Sequence, residues 1–126
     1  MKRNREPVVI LMADDDEDDR LLARDALDES RLINDVRFVT DGVELLDYLR
    51  RTGAYTDPET SPRPSVILLD LNMPRMDGRE ALEEIKRDPE LRRIPIVVMT
   101  TSEAEEDILR SYDLGAASFI TKPITF

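Results

Sequence analysis

The sequence predicts an α/β fold built on a parallel sheet, and three features predict it. Five short β-branched or apolar runs recur along the chain, at Val8–Ala13, Val36–Thr40, Val66–Leu71, Ile96–Thr101 and Ala117–Thr121. The first, third and fourth are almost unbroken Val, Ile, Leu and Met, as expected of parallel strands buried on both faces. Between the runs, apolar residues recur at helical spacing. Strands that alternate with helices pair in parallel through right-handed crossovers. At 126 residues the chain can bury a real core as one domain over 1–126, but it is too short for two.

Each element carries its own signals. After Val8–Ala13 come six acids, Asp14 to Asp19, and then a stripe of Leu21, Leu22, Ala26 and Leu27 that predicts the first helix. Thr40-Asp41-Gly42 marks the start of a second helix, with Val43, Leu45, Leu46 and Leu49 on its apolar stripe. The connection Arg51–Pro64 carries Gly53, Pro58, Pro62 and Pro64, and is expected to be an extended surface loop, not a domain boundary. Asp77-Gly78 opens a third helix bearing Ala81, Leu82 and Ile85. Ser102, with acids behind it, opens a fourth bearing Ile108, Leu109 and Leu114, which Gly115 closes.

Composition narrows the chemistry. The 28 acidic and 18 basic side chains leave a net charge of −10, a field that opposes nucleic acid and anionic membranes. Without Cys there is no disulfide, thiolate nucleophile or thiolate-bound metal. Without His there is no imidazole metal site, no His-dependent triad and no phosphohistidine on this chain. No apolar run approaches the ~18–20 residues of a membrane span. The start, Met1–Pro7, is basic, but only Val8–Ala13 is apolar behind it and acids follow, so the cytoplasm is the expected location. Carboxylates, hydroxyls and three lysines remain to carry chemistry.

In open α/β sheets, ligands gather at the carboxyl ends of the strands, where strand order reverses. The residues just past each apolar run are therefore the informative ones. Asp14 and Asp15 follow the first run, Asp70 lies at the end of the third, Thr100, Thr101 and Ser102 end the fourth, and Lys122-Pro123 follows the fifth. Singly, each has an ordinary reading: acids favoured by a helix dipole, a strand-terminal turn residue, β-sheet filler, a surface lysine. Together they place three carboxylates, a hydroxyl and an ammonium at one end of the sheet. Three clustered carboxylates repel one another unless a cation resides among them. Hard oxygen ligands without His or Cys select Mg²⁺ or Mn²⁺ over zinc.

These motifs, taken in order, resemble the receiver domain of two-component response regulators over essentially the whole chain. They are Val8–Ala13 with Asp14-Asp15, Leu69-Asp70-Leu71-Asn72-Met73-Pro74 with Met76-Asp77-Gly78, Pro95-Ile96-Val97-Val98-Met99-Thr100, and Gly115-Ala116-Ala117-Ser118-Phe119-Ile120-Thr121-Lys122-Pro123. The Arg51–Pro64 loop, the segment from Asp41 to Leu49 and Met99-Thr100-Thr101-Ser102 are similar to the single-domain, phytochrome-associated regulators that serve bacteriophytochrome-type kinases.

The resemblance implies a flavodoxin-like, doubly wound five-stranded sheet in the order 2-1-3-4-5. It implies that Asp70 accepts a phosphoryl group from a histidine kinase. Asp14, Asp15, Asp70 and the backbone carbonyl of Asn72 would hold Mg²⁺, with Mn²⁺ possible. Lys122 and Thr100 would engage the phosphoryl oxygens, and the ring of Phe119 would follow Thr100. Asn72 and Ser102 fall where the family tunes dephosphorylation, and Lys122–Pro123 is a cis peptide in the family. Asp16 to Asp19 are left as a helix start. Self-phosphorylation and self-dephosphorylation are the only expected chemistry, so the protein is not expected to be an enzyme. A homodimer through the fourth-helix and fifth-strand side is expected. The family's fifth helix is expected to be absent from the 126 residues, which would leave one face of the sheet undercovered.

Three other readings weaken on the residues. A calcium loop opening at Asp14 would need Gly and Glu where Asp19 and Asp25 stand. A haloacid-type phosphohydrolase would need a second Asp where Asn72 stands. A phosphorylation-independent pseudo-receiver, acting as an interaction module, usually lacks the acid pair, the acceptor Asp or the Lys, all of which are present.

Overall fold

The computed structural model describes residues 8–29, 34–73, 75–110 and 115–122. Its strands are β1 (Val8–Ala13), β2 (Asn34–Val39), β3 (Val66–Asp70), β4 (Ile96–Thr100) and β5 (Ser118–Thr121). They pair in parallel in the order β2-β1-β3-β4-β5, as the resemblance implied. Between them lie α1 (Glu17–Glu29), α2 (Gly42–Arg50), α3 (Gly78–Arg87), a 3₁₀ turn (Leu91–Arg93) and α4 (Glu103–Arg110). The connection after β1 runs to β2 on one side and the connection after β3 runs to β4 on the other, so the crevice for a ligand opens between the carboxyl ends of β1 and β3. Ala13 pairs with Leu69, Asp70 with Met99 and Thr100 with Thr121, which brings the ends of four neighbouring strands level.

One face of the sheet holds the main core. Leu11, Ala13, Ile67, Leu69, Ile96 and Val98 pack there with Leu45, Leu46 and Tyr48 of α2, Ala81, Leu82 and Ile85 of α3, and Leu109 of α4. On the other face α1 covers the strands, and none of its residues is fully buried. A groove of about 240 Å³ runs under it, lined by Met12, Leu22, Ala26, Leu68, Met99 and Ile120 among others. Two predicted stripes are narrower than expected. Leu21 and Ile108 are exposed, although their neighbours Leu22 and Leu109 turn toward the sheet. Adjacent helix residues lie ~100° apart around the axis, so both cannot face one surface. Leu114 and Pro123, with the Lys122–Pro123 peptide bond, lie outside the described residues.

The helix starts follow their signals. Asp41 caps α2 by accepting the N–H of Glu44 at 2.8 Å, and Asp77 caps α3 by accepting that of Glu80 at 2.9 Å. Ser102 Oγ does the same for Glu105 at 3.1 Å. The Arg51–Pro64 connection is the surface loop its residues predict, exposed over most of its length, and its end is anchored to α2. Tyr48 donates to the carbonyl of Pro62 at 2.8 Å and meets the Tyr55 ring at a tilt of 53° and a centroid distance of 5.1 Å, while Ser61 and Pro64 are buried. Among the described residues no helix is long and apolar enough to cross a membrane.

Two glycines let the loops around the strand ends close on each other. A Cβ on Gly78 would lie 2.3 Å from the Asp70 carbonyl oxygen, and one on Gly42 would lie 2.3 Å from that of Met76. Both obstacles are backbone, so neither can swing aside. Gly42→Ala and Gly78→Ala are each expected to destabilise the fold by about 1–3 kcal/mol, read as a lower urea midpoint. A midpoint unchanged in both variants would show that the loops can separate freely.

Candidate functional site

Four carboxylate and ammonium side chains converge at the strand ends. Asp14 leaves β1, its N–H bonded to the carbonyl of Val39 at 3.0 Å, and its side chain is fully buried. Asp70 ends β3 and is 4% exposed. Lys122 follows β5, its N–H held by the Thr100 carbonyl at 2.7 Å. Its Nζ donates to Asp70 Oδ2 at 2.9 Å and to Asp19 Oδ2 at 2.7 Å, and lies 3.0 Å from Asp14 Oδ2. Burial alone would lower the pKa of Lys122, but the surrounding carboxylates outweigh it and hold the ammonium firmly protonated.

The carboxylates divide into ordered and open atoms. Asp14 Oδ1 accepts the N–H of Asp16 at 2.9 Å, and Asp70 Oδ1 accepts that of Asn72 at 2.9 Å. Asp14 Oδ2 is buried and accepts no well-directed hydrogen bond; its near neighbour is the Lys122 ammonium, in an ion pair at 3.0 Å that Lys122 shares with Asp70 and Asp19. Desolvation pushes the Asp14 carboxyl up to about 6, against the pull of the Asp16 N–H and of Lys122, with Asp70 repelling it further. Asp14, Asp15 and Asp70 can each offer one oxygen within 4.8 Å of the others, Asp15 from an exposed position. A buried carboxylate oxygen without a well-directed donor, among hard ligands, fits a divalent cation, which would add positive charge where one ammonium is shared by three carboxylates.

The hydroxyl bonds backbone carbonyls and the aromatic packs on the core. Thr100 is fully buried, and its Oγ1 lies 3.2 Å from the carbonyls of both Ile120 and Ser102; its single proton serves one of them at a time. Phe119 is partly buried and packs against the main core. Ser102 is spent on the α4 cap, and Asn72 is exposed beside the site.

Sequence reasoning missed Asp19. The row Asp16–Asp19 was expected to be a helix start alone. Asp16 does cap α1, its Oδ1 accepting the N–H of Asp18 at 2.8 Å and of Asp19 at 3.3 Å. That cap fixes the helix phase and turns Asp19 inward onto Lys122, while Asp18 stays exposed. The signal was present: a cap at Asp16 places residue 19 at the end of the first turn, but among six acids nothing marked the one that faces inward.

A family model of the response regulator receiver domain matches residues 10–126. Response regulator Rcp1 of Synechocystis sp. (strain ATCC 27184 / PCC 6803 / Kazusa) is 44% identical over 116 residues, covering 92% of this chain and 77% of that protein. The Mn²⁺-bound form of Rcp1 superposes with a TM-score of 0.82 at 42% identity, over 95% of this chain and 84% of that one. The phosphorylated cyanobacterial phytochrome response regulator RcpA gives 0.83 at 45% identity, over 95% and 84%. The bacteriophytochrome response regulator RtBRR gives 0.86 at 40% identity, over 96% and 72%. A match of this extent, at identities of 40% or more, means that the chain belongs to the response regulator receiver family of two-component signalling.

Proposed function

We propose that this receiver takes its phosphoryl group on Asp70. A side-chain oxygen of Asp70 attacks the phosphorus of a phosphohistidine on a histidine kinase; the P–O bond forms as the P–N bond breaks, and the freed imidazole takes up a proton. One observation carries the reading. Asp70 ends β3, accepts a hydrogen bond from Lys122 Nζ at 2.9 Å and groups with Asp14 and Asp15 within 4.8 Å; Asp14 shares these neighbours, but its side chain is fully buried, whereas that of Asp70 is 6% exposed. Lys122 then neutralises the arriving phosphoryl oxygens as a point charge. Asp14, Asp15, Asp70 and the Asn72 carbonyl would hold Mg²⁺, with Mn²⁺ as a substitute, and the ion would supply charge neutralisation for transfer. The Mn²⁺-bound form of Rcp1 supports a cation here.

Thr100 donates to the phosphoryl group after leaving the Ile120 and Ser102 carbonyls, and Phe119 follows it inward. Asn72 and Ser102 tune attack of water on the acyl phosphate. The protein is a phosphoacceptor without a separate substrate, acts in the cytoplasm, and makes no contact with nucleic acid. Likeness to RcpA and RtBRR supports a bacteriophytochrome-type kinase as donor. A homodimer through α4 and β5 completes the reading, supported by Ile108 of α4, exposed at 60%.

Acetyl phosphate or a cognate kinase is expected to label the protein on Asp70 only with Mg²⁺ or Mn²⁺ present. Labelling of Asp70→Ala at the wild-type rate, or labelling indifferent to EDTA, would sink the assignment. The raised Asp14 carboxyl gives a second test. Between pH 4 and pH 6 the folded state holds a proton at Asp14 that the unfolded chain releases, so this group makes the metal-free protein less stable as pH rises through that window. Mg²⁺ affinity runs the other way, rising with pH until about 6 and then levelling. Asp14→Asn should raise the metal-free melting temperature by roughly 5 °C at pH 7 and abolish the cation's effect on it. A lower melting temperature would mean that the charged Asp14–Lys122 pair is net stabilising. Finally, beryllofluoride with Mg²⁺ should perturb NMR resonances from Thr100 to Phe119; unchanged spectra there would refute their coupling.

A further inference from the structure

Lys122 faces an unresolved competition if it has only the partners that the phosphoacceptor reading gives it. Of its three carboxylate neighbours, Asp14 and Asp70 belong to the group whose oxygens converge for a cation, and Asp19 does not. A dication that takes oxygens of Asp14 and Asp70 draws those charges from the ammonium and repels it as well. A lysine side chain carries about 2 kcal/mol of rotamer entropy, so an ammonium without a counter-charge would gain by swinging into water.

Resting on that reading, we propose that Asp19 is a positioning residue whose carboxylate keeps the Lys122 ammonium beside Asp70 while a divalent cation occupies the other two acids. Three observations converge on it. The Asp19 contact is the shortest of the three, at 2.7 Å, and the Asp19 side chain is only 16% exposed. Its backbone is held by the Asp16 cap, and Arg20 next to it donates Nη1 to the Asp14 carbonyl at 2.8 Å, tying the first turn of α1 to the end of β1. Asp19 also approaches Lys122 from α1, whereas Asp14 and Asp70 come from the ends of β1 and β3, so it can retain the ammonium without entering the cation's ligand set. An ammonium has three N–H groups. One spent on Asp19 leaves two for phosphoryl oxygens.

The test compares the full chain with Asp19→Asn, which keeps the side-chain shape, and with Asp18→Asn, which removes the same charge from an exposed neighbour. The first readout is the NMR signals of the Lys122 ε-methylene and ammonium during Mg²⁺ titration, simplified by there being three lysines. Wild type and Asp18→Asn should keep a hydrogen-bonded, slowly exchanging ammonium at saturating Mg²⁺, and Asp19→Asn should lose it only once Mg²⁺ is added. The second is the rate of labelling by acetyl phosphate at saturating Mg²⁺, expected to fall about tenfold in Asp19→Asn and less than twofold in Asp18→Asn. Lys122 signals in Asp19→Asn that stay wild-type with Mg²⁺, or equal rate losses in the two variants, would overturn the proposal. If the wild type itself takes no label, the acceptor reading fails, and the Mg²⁺ titration still decides whether Asp19 holds the lysine.

Discussion

Everything at the carboxyl end of this sheet depends on one ammonium. Lys122 follows the last strand and meets carboxylates 103 and 52 residues earlier in the chain, on α1 and at the end of β3, with Asp14 a third neighbour. Without it, two almost fully buried acids would face each other in a site too dry to screen them. Taking one partner from a buried ion pair costs about 3–5 kcal/mol, mostly because the remaining charge is stranded. The lysine makes the cluster tolerable, yet it leaves Asp14 partly unsatisfied. The fold holds together around a site that still has room for positive charge.

The loops that carry these groups are fixed by backbone contact more than by side chains. Gly78 presses the start of α3 against the Asp70 carbonyl, and its N–H bonds the carbonyl of Leu71 at 2.9 Å. Gly42 presses α2 against the same loop through the Met76 carbonyl, also at 2.9 Å. Arg75, between them, has a left-handed backbone (φ 62°), which costs a non-glycine residue about 1–2 kcal/mol. Its guanidinium meets the buried Asp41 carboxylate at 2.7 Å. Burial raises the Asp41 pKa, but Arg75 and the N–H groups of α2 together bring it below the usual carboxylate range. The strained residue is thereby tied to the cap of a neighbouring helix, and the loop after Asp70 is held on both sides.

Much of this was legible in the sequence because apolar runs and caps are local signals. Val8–Ala13 reproduces β1 residue for residue, and the caps at Asp41 and Asp77 sit where their Asp-Gly pairs placed them. Asp14, Asp70, Thr100 and Lys122 were legible for a related reason, since strand ends are where a parallel sheet collects chemistry. What escaped depends on angles around an axis or on contacts far apart in the chain. Asp19 differs from Asp18 only by rotation about α1. Leu21 and Ile108 fit a helical period and still face water, because period alone does not say how wide a buried stripe is. The 51–64 connection reads as loop in its prolines, and only Tyr48 and Tyr55 reveal its anchorage.

The hydroxyl of Thr100 links the acids to the sheet edge. At rest it bonds a carbonyl, that of Ile120 on β5 or of Ser102 at the start of α4. A neutral bond of this kind is worth about 0.5–1.5 kcal/mol net, and one to a charged acceptor about 1.5–3. A phosphoryl group on Asp70 would therefore outbid either carbonyl by only about 1 kcal/mol, enough to shift a population several-fold but not to lock it. Whatever Thr100 abandons must find a new donor. β5 is the edge strand of the sheet, with Ile120 already exposed at 44%, so its carbonyl can turn to water at little cost. Relaxation is thus cheapest on β5 and the adjoining α4, and dearest in the main core beneath α2 and α3. The chemistry of the acids and the give of the structure meet at that edge, on residues that a second protein can touch.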